Sequence, residues 1–396
     1  MWVGMISATG AVTGLACAAF LLGLEWAAET RGRYPALILA LPVVGLVMGW
    51  VYTRWGGAIA SGTDQVIAEA NAPTQRIPLR MAPMVLLATL ATHVFGGSAG
   101  REGTALQMGA ALADQWSRWS TQAQRHRQWL LIAGMSAGFA ALFGTPWTGA
   151  IFALEVLAVG GLMGRLCLAE SMLALLAAWI GHGVVMALGI PHPHYAVAAV
   201  APLTFSSAVT IAAAALCFGL FARLFVHVQT FLRKSAEKWA PRLPFRLALG
   251  GLFVLGLVAV FGTTRYLGLG IPLIHEGFAD QSPYSDSFGK LILTAVTLGF
   301  GFKGGEVTPL FAMGATLGSA LSGVMQIPTD VLAALGLVAV FAAAANTPIA
   351  CTIMAMELFG PGIGWHAALA CAIAYAVSGY PGIYRTQRLA AQKWLP

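Results

Sequence analysis

The sequence predicts an all-α polytopic membrane protein made of two related halves, and three observations support this fold class. Hydrophobic residues make up 58% of the 396 residues and charged residues only 9%, whereas a soluble domain carries roughly 25% charged residues. Long apolar runs follow one another along the whole chain. Short motifs of the first half recur in the second half. We therefore expect one membrane domain over residues 1–396, with no appended soluble domain.

The apolar runs are separated by short polar or Gly-rich connections. They occupy residues 2–26, 35–53, 82–97, 129–143, 147–163, 166–190, 206–231, 246–262, 290–301, 309–325, 331–345, 347–359 and 365–379. Several are shorter than the roughly 20 residues that a helix needs to span a bilayer. Helices that stop inside a membrane are tolerated where their ends are buried in protein or line an aqueous cavity. Such broken helices predict a transporter whose substrate site lies at the helix ends.

An internal repeat relates the two halves of the chain. Residues 144–155 match residues 346–357, and residues 102–106 match residues 306–310. A weaker match pairs residues 61–63 with residues 269–271. These matches keep the same order and nearly the same offset. They predict a first repeat over residues 1–195 and a second over residues 203–396, and a parallel or an inverted arrangement fits them equally well.

Three Gly-rich segments each lead into a helix-like segment. They are residues 60–63, 100–104 and 301–309. A helix start leaves about four backbone N–H groups unpaired and about half a positive charge, and glycine lets a ligand approach those groups closely. A Gly-mediated helix contact is the alternative for any one segment. Two of the three fall at matching repeat positions and carry ionisable groups, which favours three helix ends converging on one anion site.

Glu102 is the first functional candidate, because residues 100–109 put an acid between two strongly apolar segments. An ionisable side chain in a lipid-embedded segment costs about 2.5–3.5 kcal/mol on insertion scales and marks an ion or proton path. An ionised carboxylate can occupy an anion site and compete with the transported ion. A protonated carboxylate is neutral and can move away with its proton. One side chain can thus couple two opposed fluxes.

The segment GREGTALQMG, residues 100–109, resembles the gating-glutamate motif of the CLC superfamily of chloride channels and anion/proton antiporters. The segment GFKGGEVTPLF, residues 301–311, resembles the corresponding loop of the fluoride/proton antiporter branch. Tyr384 lies where the family places a tyrosine that closes the anion path from the inside. The resemblance extends from about residue 35 to the C-terminus, and it implies that the repeat is inverted.

The resemblance also implies roles for individual residues. Glu102 is expected to be the external gate and the proton acceptor. The residues expected to surround the anion are Thr63, Gly103, Thr104, Val307, Thr308 and Tyr384. The residues expected to shape the loops beside the site are Arg101, Lys303, Gly304, Gly305 and Glu306.

Two positions depart from the family's patterns. Position 63 is threonine, where chloride-transporting members usually have serine and fluoride-type members often have methionine. A chloride/proton exchanger or chloride channel of the same fold is therefore the alternative. Glu155 is followed by Val156, where chloride/proton exchangers have two adjacent acids. The inner proton-transfer acid of those exchangers is thus missing, as in the fluoride branch.

The sequence and the resemblance together predict a fluoride/proton antiporter that exports fluoride. We expect a multi-pass homodimer in the cell membrane, with fluoride and protons as transported ions and with no metal or cofactor. The net charge of +7 does not indicate nucleic-acid binding, because no soluble basic domain is present to hold it. Basic loops near residues 118–127 and 234–246 fit the positive-inside rule and are expected on the cytoplasmic face.

An intramembrane serine hydrolase is the enzyme alternative. Residues 96–100 fit the nucleophile-elbow pattern around Ser98, and His93 lies close by in the sequence. No strand is predicted before this serine, and the pattern is common in Gly-rich membrane sequence, so transport is favoured. His192 and His194 are two neighbouring ligands, which are too few for a metal site.

Overall fold

The computed structural model describes residues 1–159, 168–193, 195–197 and 200–389, and most of them are helical. The helices up to residue 190 are α1 (Trp2–Arg33), α2 (Leu41–Val51), α3 (Thr63–Asn71), α4 (Met81–Val94), α5 (Glu102–Ala113), α6 (Thr121–Arg125), α7 (Arg127–Phe143), α8 (Pro146–Glu155) and α9 (Leu168–Ala187). The later helices are α10 (Phe205–Trp239), α11 (Leu243–Phe261), α12 (Ile271–Ala279), α13 (Tyr284–Gly299), α14 (Val307–Met325), α15 (Thr329–Ala345), α16 (Pro348–Phe359) and α17 (Gly364–Val377).

Short elements connect these helices. They are 3₁₀ turns at Pro35–Ala40, Gly57–Ser61, Asp114–Arg118 and Pro361–Ile363, and a π-helical turn at Tyr52–Gly56. Two short strands, β1 (Ala158–Val159) and β2 (Arg388–Leu389), pair in parallel. The pairing fastens the end of the described chain beside the segment after α8. The last four residues of the predicted apolar run 147–163 lie outside the described residues, and so does His194.

Long and short apolar helices are mixed, as the hydropathy pattern predicts. Among the described helices, six segments are long and apolar enough to cross a membrane: α1, Pro35–Gly56, α9, α10, α11 and α14. Shorter apolar helices are α4, α15, α16 and the segment Pro361–Val377. With 35 residues, α10 is roughly 50 Å long, so its two ends lie on opposite faces of the membrane.

The core is formed by helices that are buried on every side. All residues of α14 from Val307 to Ser322 are buried, and so are all residues of α15 from Val331 to Ala345. Helix α7 is buried almost throughout as well. A helix that is apolar all round belongs in the interior. The start of α14, where the sequence predicts part of an anion site, therefore belongs to a helix that lipid does not reach.

Glycine pairs let the core helices cross closely in both halves. A Cβ atom on Gly109 of α5 would lie 2.0 Å from the carbonyl oxygen of Gly134 in α7, and one on Gly314 of α14 would lie 2.2 Å from the carbonyl oxygen of Gly336 in α15. Both pairs therefore require glycine. The same crossing occurs at corresponding places in the two halves, as an internal repeat predicts.

The weak third match of the repeat corresponds to two short helices that hydropathy missed. Helices α3 and α12 both contain nine residues. Each follows a glycine with positive φ, +61° at Gly62 and +86° at Gly270. Asp64 and Glu69 interrupt the apolar pattern of α3, which explains why no apolar run marks it.

Candidate anion site

Three helix N-termini meet at one place, those of α3, α5 and α14. A Cβ atom on Gly103, in the first turn of α5, would lie 3.1 Å from Thr63 Oγ1 and 3.4 Å from Gly305 Cα. Gly103 therefore packs between the start of α3 and the loop before α14. The predicted convergence of the three Gly-rich segments is present, and it places unpaired N–H groups and positive dipole ends together.

A two-residue backbone bridge joins the loops from the two halves. The N–H of Gly100 donates to the carbonyl of Gly305 at 2.6 Å, and the N–H of Gly305 donates to the carbonyl of Gly100 at 2.9 Å. A Cβ atom on Gly305 would lie only 1.7 Å from Glu102 Oε1. Gly305 is therefore the opening through which the Glu102 carboxylate reaches α14.

The Glu102 carboxylate occupies the N-terminus of α14. Its Oε1 accepts from the N–H of Val307 at 2.7 Å, and its Oε2 accepts from the N–H of Thr308 at 3.3 Å and from Thr308 Oγ1 at 3.4 Å. Oε2 also accepts from the N–H of Arg101 at 3.0 Å. The side chain is fully buried. Its oxygens stand where a bound anion would accept the same hydrogen bonds.

A polar cavity of about 320 Å³ leads to this place from one side. Thr63, Gln107, Glu306 and Tyr384 line it, and Arg233, near the end of α10, lies in the same wall. We name it the inner cavity, because the basic segment that follows Arg233 is expected on the cytoplasmic face. Thr63 Oγ1 accepts a hydrogen bond from Gln107 Nε2 at 3.2 Å.

Tyr384 lies at the inner cavity because an ion pair holds its segment against α3. The Asp64 carboxylate accepts from the N–H of Arg385 at 2.8 Å and from Arg385 Nε at 2.6 Å, and Thr386 Oγ1 donates to the Asp64 carbonyl at 2.7 Å. Tyr384 is buried, and its hydroxyl has no hydrogen-bond partner among the described residues. Thr63 and Tyr384 each come directly before a member of this ion pair in the sequence, Asp64 and Arg385.

Thr104 and Lys303 use their polar groups away from the carboxylate. Thr104 Oγ1 lies 2.6 Å from Thr89 Oγ1 of α4, so its hydroxyl fastens α5 to α4. Lys303 Nζ donates to the Ala60 carbonyl at 3.0 Å and lies 4.5 Å from the centre of the Tyr52 ring. Lys303 therefore ties its loop to the turn before α3.

Glu306 belongs to the loop before α14, and its side chain also lines the inner cavity. Its Oε1 accepts from Gln229 Nε2 at 3.2 Å, and its side chain forms part of the inner cavity wall. An acid thus lines the cavity one position before Val307, whose N–H donates to Glu102. Gly304, with φ of +157°, packs on Ala99, where a Cβ atom would lie 2.5 Å from the Ala99 Cβ. Gly304 therefore lets the loop before α14 pack closely on the loop before α5.

A second, small cavity lies on the other side of Glu102. Its volume is about 20 Å³, and Arg101, Thr308 and Tyr195 are among the residues that line it. Thr308 also donates to the Glu102 carboxylate, so this cavity adjoins the carboxylate. We name it the outer cavity, because we expect it to face the membrane side opposite to the inner cavity.

Lys290 is a buried residue near the site that the sequence analysis missed. It is fully buried in α13, and Nζ donates to Ser98 Oγ at 3.0 Å, to the Tyr266 carbonyl at 3.1 Å and to the Gly268 carbonyl at 2.6 Å. It fastens the loop before Glu102 to the loop before α12. A single lysine in an apolar segment was a usable signal, by the same argument that identified Glu102.

The serine-hydrolase alternative is not supported by the surroundings of Ser98. Its hydroxyl donates to the Tyr266 carbonyl at 2.9 Å, and the side chain is fully buried. The ring Nε2 of His93 lies 3.4 Å from the Gly100 carbonyl oxygen, so the ring is used elsewhere. Among the described residues, no group of three or more His, Cys, Asp or Glu side chains is placed to hold a metal ion; His194 lies outside them.

Sequence comparisons connect the chain to anion-transport proteins. The profile described as voltage gated chloride channel matches residues 44–379. A chloride/fluoride channel protein of Pseudomonas syringae pv. tomato is 43% identical over 398 residues, covering 99% of this chain and 87% of that protein. A voltage-gated ClC-type chloride channel of Salmonella typhi is 28% identical, covering 76% of this chain and 74% of that protein.

Solved structures with the same architecture include two antiporters. The crystal structure of a CLC-type fluoride/proton antiporter superposes with a TM-score of 0.94 at 31% identity, covering 98% of both chains. A slow cyanobacterial Cl⁻/H⁺ antiporter superposes with a TM-score of 0.80 at 17% identity, covering 95% of this chain and 94% of that chain. The predicted all-α fold with inverted repeats and broken helices is confirmed.

Proposed function

We propose that this chain, which belongs to the voltage-gated chloride channel family, is a fluoride/proton antiporter that exports fluoride across the cell membrane. The observation that carries the proposal is the Glu102 carboxylate seated on the N–H groups of Val307 and Thr308. The likeness to a CLC-type fluoride/proton antiporter supports the choice of ions.

Glu102 alternates between two chemical forms in the proposed cycle. When ionised, its carboxylate holds the α14 N-terminus and excludes an anion. When protonated, it is neutral, is held less strongly by the helix dipole and leaves the N–H groups of Val307 and Thr308 to fluoride. Because the same atoms serve carboxylate and fluoride, proton uptake by the gate and anion occupancy of the site are linked.

Fluoride suits a site of N–H and O–H donors without a full charge. A small, strongly hydrated anion must exchange its water for equally strong donors. Val307 and Thr308 supply backbone N–H groups, and Thr63 and Tyr384 supply hydroxyls at the inner cavity. Among the described residues, no lysine, arginine or histidine forms an ion pair with the Glu102 carboxylate at this site, so an ion bound in its place can leave again. We assign Gly103 and Thr104 to this site as the backbone at the start of α5.

A chloride-handling exchanger or channel is the second candidate. The relative from Pseudomonas syringae carries the name chloride/fluoride channel protein, and Thr63 offers a hydroxyl where fluoride-type members often have methionine. Anion preference therefore needs a direct measurement.

The proposal also covers the membrane, the oligomeric state and the two repeats of the transporter. The apolar helices support an integral multi-pass protein, which we assign to the cell membrane as a homodimer with one pathway per subunit. We assign the repeats to residues 1–195 and 203–396. The glycine crossings between α5 and α7 and between α14 and α15 support this division. Fluoride and protons are the proposed ions, and no cofactor is part of the cycle.

Reconstitution into liposomes with separate fluoride, chloride and proton electrodes tests the proposal. Fluoride efflux accompanied by opposed proton movement, with much slower chloride efflux, is the expected result. Chloride flux as fast as fluoride flux contradicts the selectivity, and fluoride flux without proton movement indicates a channel. The variant Glu102→Gln is expected to lose proton movement, because a neutral amide cannot exchange a proton. Unchanged proton coupling in this variant removes Glu102 from the mechanism.

A further inference from the structure

Four exposed cations follow the end of α2, the end of α10 and the start of α11. They are Arg54, Lys234, Lys238 and Arg242. Lys234 and Lys238 stand one turn apart in the last part of α10, so their side chains are neighbours on that helix. Arg242 directly precedes α11, and Arg54 belongs to the π-helical turn after α2. We call these four residues the basic rim.

Close packing of α2 on α11 brings the parts of the basic rim together. A Cβ atom on Gly49, near the end of α2, would lie 2.4 Å from the Cα atom of Pro244 in the first turn of α11. The end of α2 therefore rests directly on the start of α11. The turn that carries Arg54 also contacts α11. The rim is thus one continuous surface at one end of the three helices.

The positive charge of the basic rim is not neutralised by neighbouring acids. Glu237 lies beside Lys238 in the sequence, but its carboxylate is 3.9 Å from the Arg246 guanidinium. Among the described residues, none of the four rim cations forms an ion pair with an acid. A surface with charge of one sign attracts groups of the opposite sign.

Exposed aromatic side chains accompany the cations. Trp50, Trp55, Trp239 and Phe245 are between 45% and 59% exposed, and the rings of Trp50 and Trp55 meet edge to face at 5.2 Å. Aromatic side chains of this kind are enriched where a membrane meets water. Further along α2 and α11 the exposed side chains are aliphatic, and they include Val43, Val47, Leu252 and Val260. The surface thus changes from aliphatic to aromatic to cationic, in the order of acyl chain, interface and phosphate of a lipid.

The basic rim borders the inner cavity. Glu237, Leu243 and Arg246 line that cavity. Lys238 directly follows Glu237, and Arg242 directly precedes Leu243. A negative group bound to the rim therefore stands beside the mouth of the cavity.

We propose that the basic rim binds the phosphate group of an anionic phospholipid, with Trp239 and Phe245 beside its acyl chains, and that the bound lipid weakens the affinity of the inner cavity for its anion. A soluble phosphate compound has no acyl chain to cover the aromatic side chains. The lipid phosphate compensates the rim cations and repels an anion at the cavity mouth. Lipid binding does not depend on which ion is transported, whereas the effect on fluoride rests on the proposed function.

Binding is tested with the purified protein in a neutral detergent. Phosphatidylglycerol or phosphatidylcholine is titrated in, and native mass spectrometry counts the lipids retained per chain. The unchanged protein is expected to bind phosphatidylglycerol at least about tenfold more tightly than phosphatidylcholine, because only the first lipid carries a net negative charge. Equal binding of the two lipids overturns the site. Displacement of phosphatidylglycerol by millimolar inorganic phosphate also overturns it, since the occupant is then a soluble anion.

Paired substitutions locate the lipid on the protein. In Lys238→Gln with Arg242→Gln, the preference for phosphatidylglycerol is expected to fall at least about fivefold. Lys238→Arg with Arg242→Lys keeps both charges and is expected to keep the preference. The matched control is Arg118→Gln with Arg125→Gln, which removes two exposed cations from another loop and is expected to bind as the unchanged protein does. An unchanged preference in Lys238→Gln with Arg242→Gln overturns the assignment to the rim.

The effect on transport is measured as the KM for internal fluoride in liposomes. One set contains phosphatidylcholine alone, and the other contains one quarter phosphatidylglycerol. A charged leaflet lowers the fluoride concentration at the surface for every variant, so the ratio of the two KM values is compared between variants. This ratio is expected to be about threefold larger in the unchanged protein and in Arg118→Gln with Arg125→Gln than in Lys238→Gln with Arg242→Gln.

The outcomes distinguish this inference from the proposed function. Equal KM ratios in all three proteins, with fluoride flux present, overturn regulation by the lipid and leave the antiporter intact. Absence of fluoride flux in the unchanged protein overturns the antiporter, and the mass-spectrometric titration then decides the lipid site without it.

Discussion

Glu155 and Glu357, at matching positions of the internal repeat, each cap the helix that carries the other. Glu155, at the end of α8, accepts the N–H groups of Ile349 at 3.0 Å and Ala350 at 2.7 Å in the first turn of α16. Glu357, near the end of α16, accepts those of Trp147 at 2.9 Å and Thr148 at 2.8 Å in the first turn of α8. These two acids thus stabilise helix ends, whereas Glu102 is the acid that we propose as the gate of the anion site.

Replacing either capping acid is expected to destabilise the protein. Glu155→Ala leaves two N–H groups unpaired in a buried place, which costs about 1–3 kcal/mol. The loss in Glu357→Ala is smaller, because Glu357 is partly exposed and water can replace it. Thermal unfolding in detergent measures both, with the exposed residue Glu29 as the control in Glu29→Ala. Equal stability of Glu155→Ala and the unchanged protein contradicts the capping role.

Gly305→Ala is expected to drive the Glu102 carboxylate away from α14. The added Cβ atom would lie 1.7 Å from Glu102 Oε1, so the carboxylate must leave or the loop must move. We expect anion flux to continue with reduced proton movement, measured with paired anion and proton electrodes. Gly183→Ala is the control, because nothing lies within 4 Å of its added Cβ atom. Normal coupling in Gly305→Ala shows that the carboxylate does not need this opening.

The ion pair between Asp64 and Arg385 is expected to set the affinity of the inner end of the pathway. Asp64→Asn and Arg385→Gln each loosen the segment that carries Tyr384, so the KM for internal fluoride rises while external KM is unchanged. The Arg385 side chain is 52% exposed, so solvent screening limits the coupling in a double-mutant cycle to about 1 kcal/mol. Strictly additive effects of the two substitutions indicate that the pair does not act as a unit.

Lys290→Met is expected to lower stability more than any change at Ser98. It leaves the Gly268 carbonyl without its donor, at a cost of about 1–3 kcal/mol. It also removes one of the two donors of the Tyr266 carbonyl, which still accepts from Ser98 Oγ. The midpoint of thermal unfolding in detergent is the measurement, and Ser98→Ala is the comparison. Transport that survives in Ser98→Ala also removes the hydrolase alternative.

Features that depend on local sequence were predictable. The apolar runs locate most helices because helix formation and lipid solvation act on neighbouring residues. The Gly-rich helix starts and Glu102 were identified because a glycine turn and an acid in an apolar segment are visible within ten residues of sequence. No apolar run marks helix α3, because its pattern is short and polar, but the Gly-rich segment 60–63 predicted a helix start there and the structure has one at Thr63.

The sequence by itself determined the fold class, the repeat and the buried acid at the start of α5, since these depend on composition and on motifs that are contiguous in the chain. Only the tertiary structure decided which polar groups meet. It paired Asp64 with Arg385 across 321 positions. It placed Glu155 on the first turn of α16 and Glu357 on the first turn of α8, and it left Arg101 Nε without a hydrogen-bond partner among the described residues. Burial and geometry decide whether a charge is paired, and neither follows from the order of residues within one segment.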